Sequence, residues 1–147
     1  MDFRFSLALT VRDYECDFQG IVNNAVYLNY LEHARHVFAK SVGLDVVELA
    51  TRGINVVLVR SEIEYRASLR TGDSFKVALN VNRCSRLKFA FDQSIYRIPA
   101  ECAEATYIRS NLILKALMTA TALNEHGRPF QAPELDVLFS NEPLSRD

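Results

Sequence analysis

The stretch Val11–Val42, VRDYECDFQGIVNNAVYLNYLEHARHVFAKSV, decides how the rest of the chain is read. It opens as the end of a strand, passes through a tight loop carrying Asp17 and Gly20, and continues as a long helix. Asn23 suits an N-cap, because its side-chain oxygen can accept an orphan N–H of the first turn. Gly43 suits the stop, because glycine takes the left-handed turn after a helix at little cost. Tyr27, Leu31, Ala34, Phe38 and Ser41 recur at helical spacing, and Tyr30, Val37 and Val42 widen that face. Asn29, Glu32, His33, Arg35, His36 and Lys40 are expected on the polar remainder. An aspartate therefore lies just ahead of a helix N-terminus, where free N–H groups and a partial positive charge collect.

Working outward, Phe3 to Val11 alternates apolar and polar residues at period two, as a half-buried strand does. Downstream, Leu44–Arg52 reads as a linker holding one or two helical turns. Four strand candidates follow: Asn55–Arg66, Phe75–Asn82, Leu87–Ile95 and Leu112–Leu123. Turn signals separate them at Arg70–Asp73 and Arg83–Arg86, and an irregular stretch runs over Pro99–Asn111. The fold class expected is α+β: about five antiparallel strands, the last four as a meander, wrapped around one long helix. The 147 residues are sized for one domain over 1–147, with its core at about 3–134.

A formal net charge of -1, with both signs interspersed, gives no nucleic-acid surface. Apolar runs are too short to span a membrane. The 3 cysteines, Cys16, Cys84 and Cys102, form neither a disulfide framework nor a zinc pattern. Together with the absence of a targeting segment ahead of the first strand, they set the expectation of a cytoplasmic protein.

Asp17, Gly20, Val22, Asn23, Asn24, Ala25 and Tyr27 spell D-x-x-G-x-V-N-N-A-x-Y, and Glu32–Arg35 spell E-x-A-R. These motifs resemble the hotdog-fold thioesterases, more narrowly the 4-hydroxybenzoyl-CoA thioesterase family and its acyl-CoA and acyl-ACP (acyl carrier protein) members. Weaker echoes lie at Val59-Arg60, Glu64-Tyr65, Arg70-x-Gly72-Asp73 and Gly127-Arg128-Pro129, so the resemblance spans roughly residues 5–134. It implies a single hotdog domain that hydrolyses an acyl-CoA or acyl-carrier-protein thioester, with coenzyme A present only as part of the substrate and no metal or other cofactor. It also implies a homodimer, or a dimer of dimers, with the active site at the subunit interface. The rival readings are a hotdog dehydratase or hydratase and a non-catalytic acyl-binding module.

From spacing alone Asp17 is more readily an Asx-turn residue than a catalytic one; the resemblance reverses this, because Asp17 falls on the family's catalytic aspartate. It would act as nucleophile or general base, with backbone N–H groups near Asn23 and Asn24 holding the oxyanion. Where some relatives carry histidines, this chain has Ile21 and Asn24, which leaves the chemistry dependent on Asp17. Gly20, Tyr27, Val57 and Val59 are expected around the substrate, the last two from a partner subunit. Arg86 and Lys88 are expected to grip phosphates of coenzyme A or an acidic carrier protein. His33 and His36 lack a third ligand and are read as solvated or interface residues.

Overall fold

The computed structural model describes residues 2–140. Strand β1 (Phe5–Thr10) leads through a single 3-10 turn, Asp13–Glu15, into the long helix α1 (Asn24–Ser41) and the short helix α2 (Val46–Thr51). Strands β2 (Asn55–Tyr65), β3 (Ser74–Arg83), β4 (Lys88–Arg97), β5 (Leu112–Leu123) and the two-residue β6 (Pro129–Phe130) follow. A 3-10 segment, Pro133–Phe139, closes the described chain.

All strand pairs are antiparallel, in the order β1-β3-β4-β5-β2, with β6 beside β5. This corrects the expected meander. Strand β2 does not pair with β3, the strand that follows it. It lies at the opposite edge against β5, with Val57 beside Thr121 and Tyr65 beside Leu114. The segment from Arg66 to Asp73 crosses the sheet to β3, which pairs with β1 from Phe5↔Leu79 to Thr10↔Ser74.

Helix α1 starts where Asn23 Oδ1 accepts the Ala25 N–H at 3.0 Å, and ends at Gly43, whose φ of 84° needs glycine. Its buried residues are Tyr27, Tyr30, Leu31, Ala34, Phe38 and Ala39. At 100° per residue they cover an arc of about 180°, wider than a stripe on a flat layer. The sheet curves around the helix to fill that arc with Phe75, Val77, Leu79, Phe89, Phe91, Ile95, Leu114 and Met118, all buried. Ser41, expected on the apolar face, is exposed. Arg35, expected on the polar face, falls about 80° around from Tyr27, inside the buried arc, and is only partly exposed.

Candidate active site

The loop between β1 and α1 is a clipped miniature hairpin. Cys16 bridges Val22, and Ile21 bridges Arg70. The Asp17 N–H donates to Ile21 O at 2.9 Å, and the Gly20 N–H donates back to Asp17 O at 3.0 Å. Gly20 has φ 80° with nothing within 4 Å of where a Cβ would sit, so its requirement is conformational rather than spatial. The Val22 N–H donates to Leu69 O at 2.9 Å, and the Leu69 N–H donates to the Tyr27 hydroxyl at 2.9 Å. Loop, helix start and the β2–β3 crossing are thus one hydrogen-bonded unit.

Asp17 is half-buried within it. Its Oδ1 accepts the Gln19 N–H at 2.8 Å, an Asx-turn. Its Oδ2 takes no hydrogen bond among the described residues. The turn-capping and reactive readings therefore use different oxygens of one carboxylate.

The expected oxyanion donors divide. The Asn23 N–H is committed to Glu15 O at 3.2 Å, and the Asn23 side chain is committed to the cap. The first helical residue, Asn24, keeps an N–H of the kind a helix start leaves without an internal acceptor. Tyr27, expected to contact substrate, is 3% exposed and its hydroxyl is held by Leu69. Burial pushes its phenol pKa up. Its ring packs against Tyr65 at 5.8 Å and Tyr30 at 6.2 Å, so it supports the loop from beneath.

The remaining expected residues lie far off within one chain. Arg86 is in the exposed β3–β4 turn and Lys88 opens β4. Thr10, just before the Asp17 loop, pairs with Ser74 at the other end of β3, whose 10 residues span about 30 Å. Val57 lies in register with Lys88 through Thr121, at the turn end of the sheet. Val59 sits at a register shift between Leu58 and Arg60 and is 48% exposed. Arg60 meets Glu62 of its own strand at 2.6 Å. His36 lies 3.9 Å from Glu32 on the exposed helix face. Among the described residues no group of three or more His, Cys, Asp or Glu is disposed to hold a metal.

A cavity of about 400 Å³ opens between the second half of α1 and β2, lined by Glu32, Arg35, Val57, Leu58, Phe91 and Leu138 among others. Its floor is pinned by the 3-10 segment Pro133–Phe139. There Arg83 pairs with Asp136 and lies 4.3 Å from the Phe139 ring, while Phe139 meets Phe89 edge-on at 5.8 Å. Sequence reasoning missed two residues here. Gln93 is fully buried on the inner face of β4, in the series Phe89, Phe91, Gln93, Ile95. A polar residue at an inward position of a period-two strand was the available signal. Gln93 Nε2 donates to Leu31 O at 3.1 Å, and Arg35 Nη1 donates to Gln93 Oε1 at 2.9 Å. Burial holds the Arg35 pKa below its ordinary range, with Glu32 opposing that shift.

Comparison with known proteins agrees with this architecture. The thioesterase-like superfamily matches residues 11–126, from the end of β1 to the β5–β6 turn. The chain is 35% identical over 125 residues to the acyl-acyl carrier protein thioesterase ATL3, chloroplastic, of Arabidopsis thaliana. That match covers 85% of this chain and 61% of the relative, so the chain spans about three-fifths of that protein. A hypothetical protein of Aquifex aeolicus superposes with TM-score 0.77 at 29% identity, over 91% of this chain and 98% of that one. A 1,4-dihydroxy-2-naphthoyl-CoA thioesterase from Synechocystis superposes with TM-score 0.80 over 95% and 98% of the two chains, at 19% identity, a likeness of fold. The curved sheet around one helix is the hotdog arrangement, and the chain belongs to the thioesterase-like superfamily.

Proposed function

We propose that the protein hydrolyses acyl thioesters, releasing a carboxylic acid and the thiol of coenzyme A or of an acyl carrier protein. The observation that carries this is the unpartnered Oδ2 of Asp17, fixed by the Asx-turn just ahead of the start of α1. A thioester carbonyl oxygen placed at the Asn24 N–H would meet a donor and the positive end of the helix. Its carbon would then face Oδ2, which attacks it or takes a proton from an attacking water. Neither route draws on a redox cofactor.

The working unit in this reading is a dimer, because one chain does not bring the expected residues together. Among the described residues strand β2 is hydrogen-bonded to β5 on one side only. It leaves Leu58 and Val59 43% and 48% exposed, an edge that invites a second strand. Antiparallel pairing of two β2 strands about their middle, Arg60–Ser61, sets Tyr65 against the segment Asn55–Val57 of a second copy. Tyr65 packs on Tyr27 beside the Asp17 loop. Val57 shares its level with Lys88, two strands away or about 10 Å. The second copy would therefore supply the wall from Val57 to Val59 and the cations Arg86 and Lys88. Those cations fit the phosphates of coenzyme A or phosphopantetheine, or an acidic carrier protein. Such dimers could stack further into a dimer of dimers.

The test is a hydrolysis panel of acyl-CoA thioesters varied in length and ring content, followed by thiol release. At least one should turn over in an Asp17-dependent way. A folded protein inactive on every CoA and carrier-protein thioester in the panel would overturn the reading.

A further inference from the structure

We propose that the cavity beside Arg35 receives the acyl portion of the substrate and that Arg35 selects acyl groups ending in a carboxylate. This deepens the thioesterase reading and rests on it. Most of the lining is apolar: Val57, Leu58, Phe91 and Leu138 would hold a hydrocarbon or ring. Glu32, Arg35 and His36 are its polar lining; Glu32 and His36 are exposed, Arg35 alone of the three is part-buried, and its placement is specific. It enters from the buried arc of α1, where a residue facing solvent would not be found. Among the described residues only one of the five guanidinium N–H groups is bound, to Gln93 Oε1 at 2.9 Å. Gln93 is itself fully buried and is oriented by Leu31 O, so the guanidinium is aimed rather than free to swing.

No carboxylate pairs with Arg35 among the described residues. Glu32, one turn back on the helix, is turned toward His36 at 3.9 Å and is largely in water. A partly buried guanidinium with no carboxylate in contact carries a desolvation cost that Glu32 opposes only in part and that an incoming anion would offset further. Its lowered proton affinity reflects the same deficit. The planar fork left over suits a carboxylate, which can accept two parallel N–H bonds. Position agrees as well. In the dimer proposed above, Val57 lies at the level of the partner's Asp17, and Val57 lines this cavity. A thioester held at that Asp17 would thus send its acyl group toward Arg35.

The experiment uses the whole protein and paired S-alkyl thioethers of coenzyme A, which cannot be hydrolysed. Each pair has matched chain length, one member ending in methyl and the other in carboxylate, in a short and a long version. Calorimetric titration should show the carboxylate member of at least one pair binding about tenfold tighter, as a charge-assisted pair would give. Arg35→Met, similar in length and uncharged, should abolish that difference while leaving the methyl-ended thioether bound as before. Gln93→Glu supplies a counter-ion in place and should also abolish it, which decides the matter should Arg35→Met not fold. Equal binding within every wild-type pair, no binding of either member, or a preference that survives both substitutions would overturn the proposal. Because binding is read without turnover, a protein that shows the preference but hydrolyses no thioester would refute the function proposed above and leave the Arg35 assignment standing.

Discussion

Asp17→Asn separates the two oxygens of one side chain. In the native loop Oδ1 accepts the Gln19 N–H at 2.8 Å, and asparagine can present its own Oδ1 to the same donor. The Asp17–Ile21 and Gly20–Asp17 backbone bonds do not involve the side chain. Stability should therefore change by less than about 1 kcal/mol, the usual effect of losing one cap-like contact. What asparagine cannot supply is a basic or nucleophilic oxygen at the Oδ2 position. General-base contributions start at roughly a hundredfold, so kcat should fall by at least that factor, equivalent to about 2.7 kcal/mol of barrier. KM should move much less, since the backbone donors and pocket walls are untouched. Asp17→Ala is the control: it loses activity similarly and adds the loss of the Gln19 contact, visible as a lower urea midpoint than Asp17→Asn. Steady-state thiol-release kinetics on purified, folded variants decide the question. Full activity in Asp17→Asn would show that the carboxylate serves only the turn and would refute the catalytic assignment, with the fold unaffected.

Three further expectations can be checked on the same material. Light scattering at micromolar concentration should give at least a dimer, and Val59→Lys, which places a charge at the open β2 edge, should weaken it; a monomeric wild type would remove the shared site. Arg86→Ala with Lys88→Ala should raise KM for acyl-CoA more than it lowers kcat, because a remote phosphate contact holds ground state and transition state alike; an equal loss on a truncated pantetheine thioester would exclude both cations from the site. At alkaline pH, Tyr30 is held above its ordinary value of 10.0, by burial first and by the neighbouring Glu15 second, and Tyr27 and Tyr96 are raised by burial. Stability should then be level below pH 10 and fall above it, because the unfolded chain loses those protons first; urea midpoints that stay level to about pH 11 would contradict it.

The elements were legible in the sequence because their signals are local. Period-two alternation located β1 and β3 to within two residues, the long strand expected at Leu112–Leu123 is β5, and Asn23 and Gly43 bounded α1. Pairing was not legible in the same way. Turn residues report which strands are close in the chain, whereas β2 pairs with β5 across a separation set by the whole fold. A second signal did exist: Arg60, Glu62 and Glu64 alternate along β2, and charges of that kind mark a strand with one free edge. The 3-10 segment was announced only by Pro133 at its start and by Glu134 and Asp136 in its first turn. For the site, the motif placed Asp17 and Gly20 correctly in the loop. It could not show that the Asn23 N–H is consumed by Glu15, since that bond depends on how the 3-10 turn Asp13–Glu15 folds back.

Arg35 shows why a helix stripe misleads in this fold. A helix lying on a flat sheet buries an arc of roughly 100°, and a charged residue about 80° from Tyr27, near the centre of the stripe, would then reach water. Here the sheet curves, so the buried arc extends to Ala39 and takes in the Arg35 position. The cost of bringing a guanidinium there is met in part by Gln93, which occupies an inward position that hydrophobic packing alone would give to a residue like its neighbours Phe91 and Ile95. Two polar residues, from helix and sheet, have therefore been placed against each other where two apolar ones would pack with less desolvation. This pair lies beside a cavity of about 400 Å³ with donors that have no partner among the described residues, as the binding role proposed for Arg35 requires.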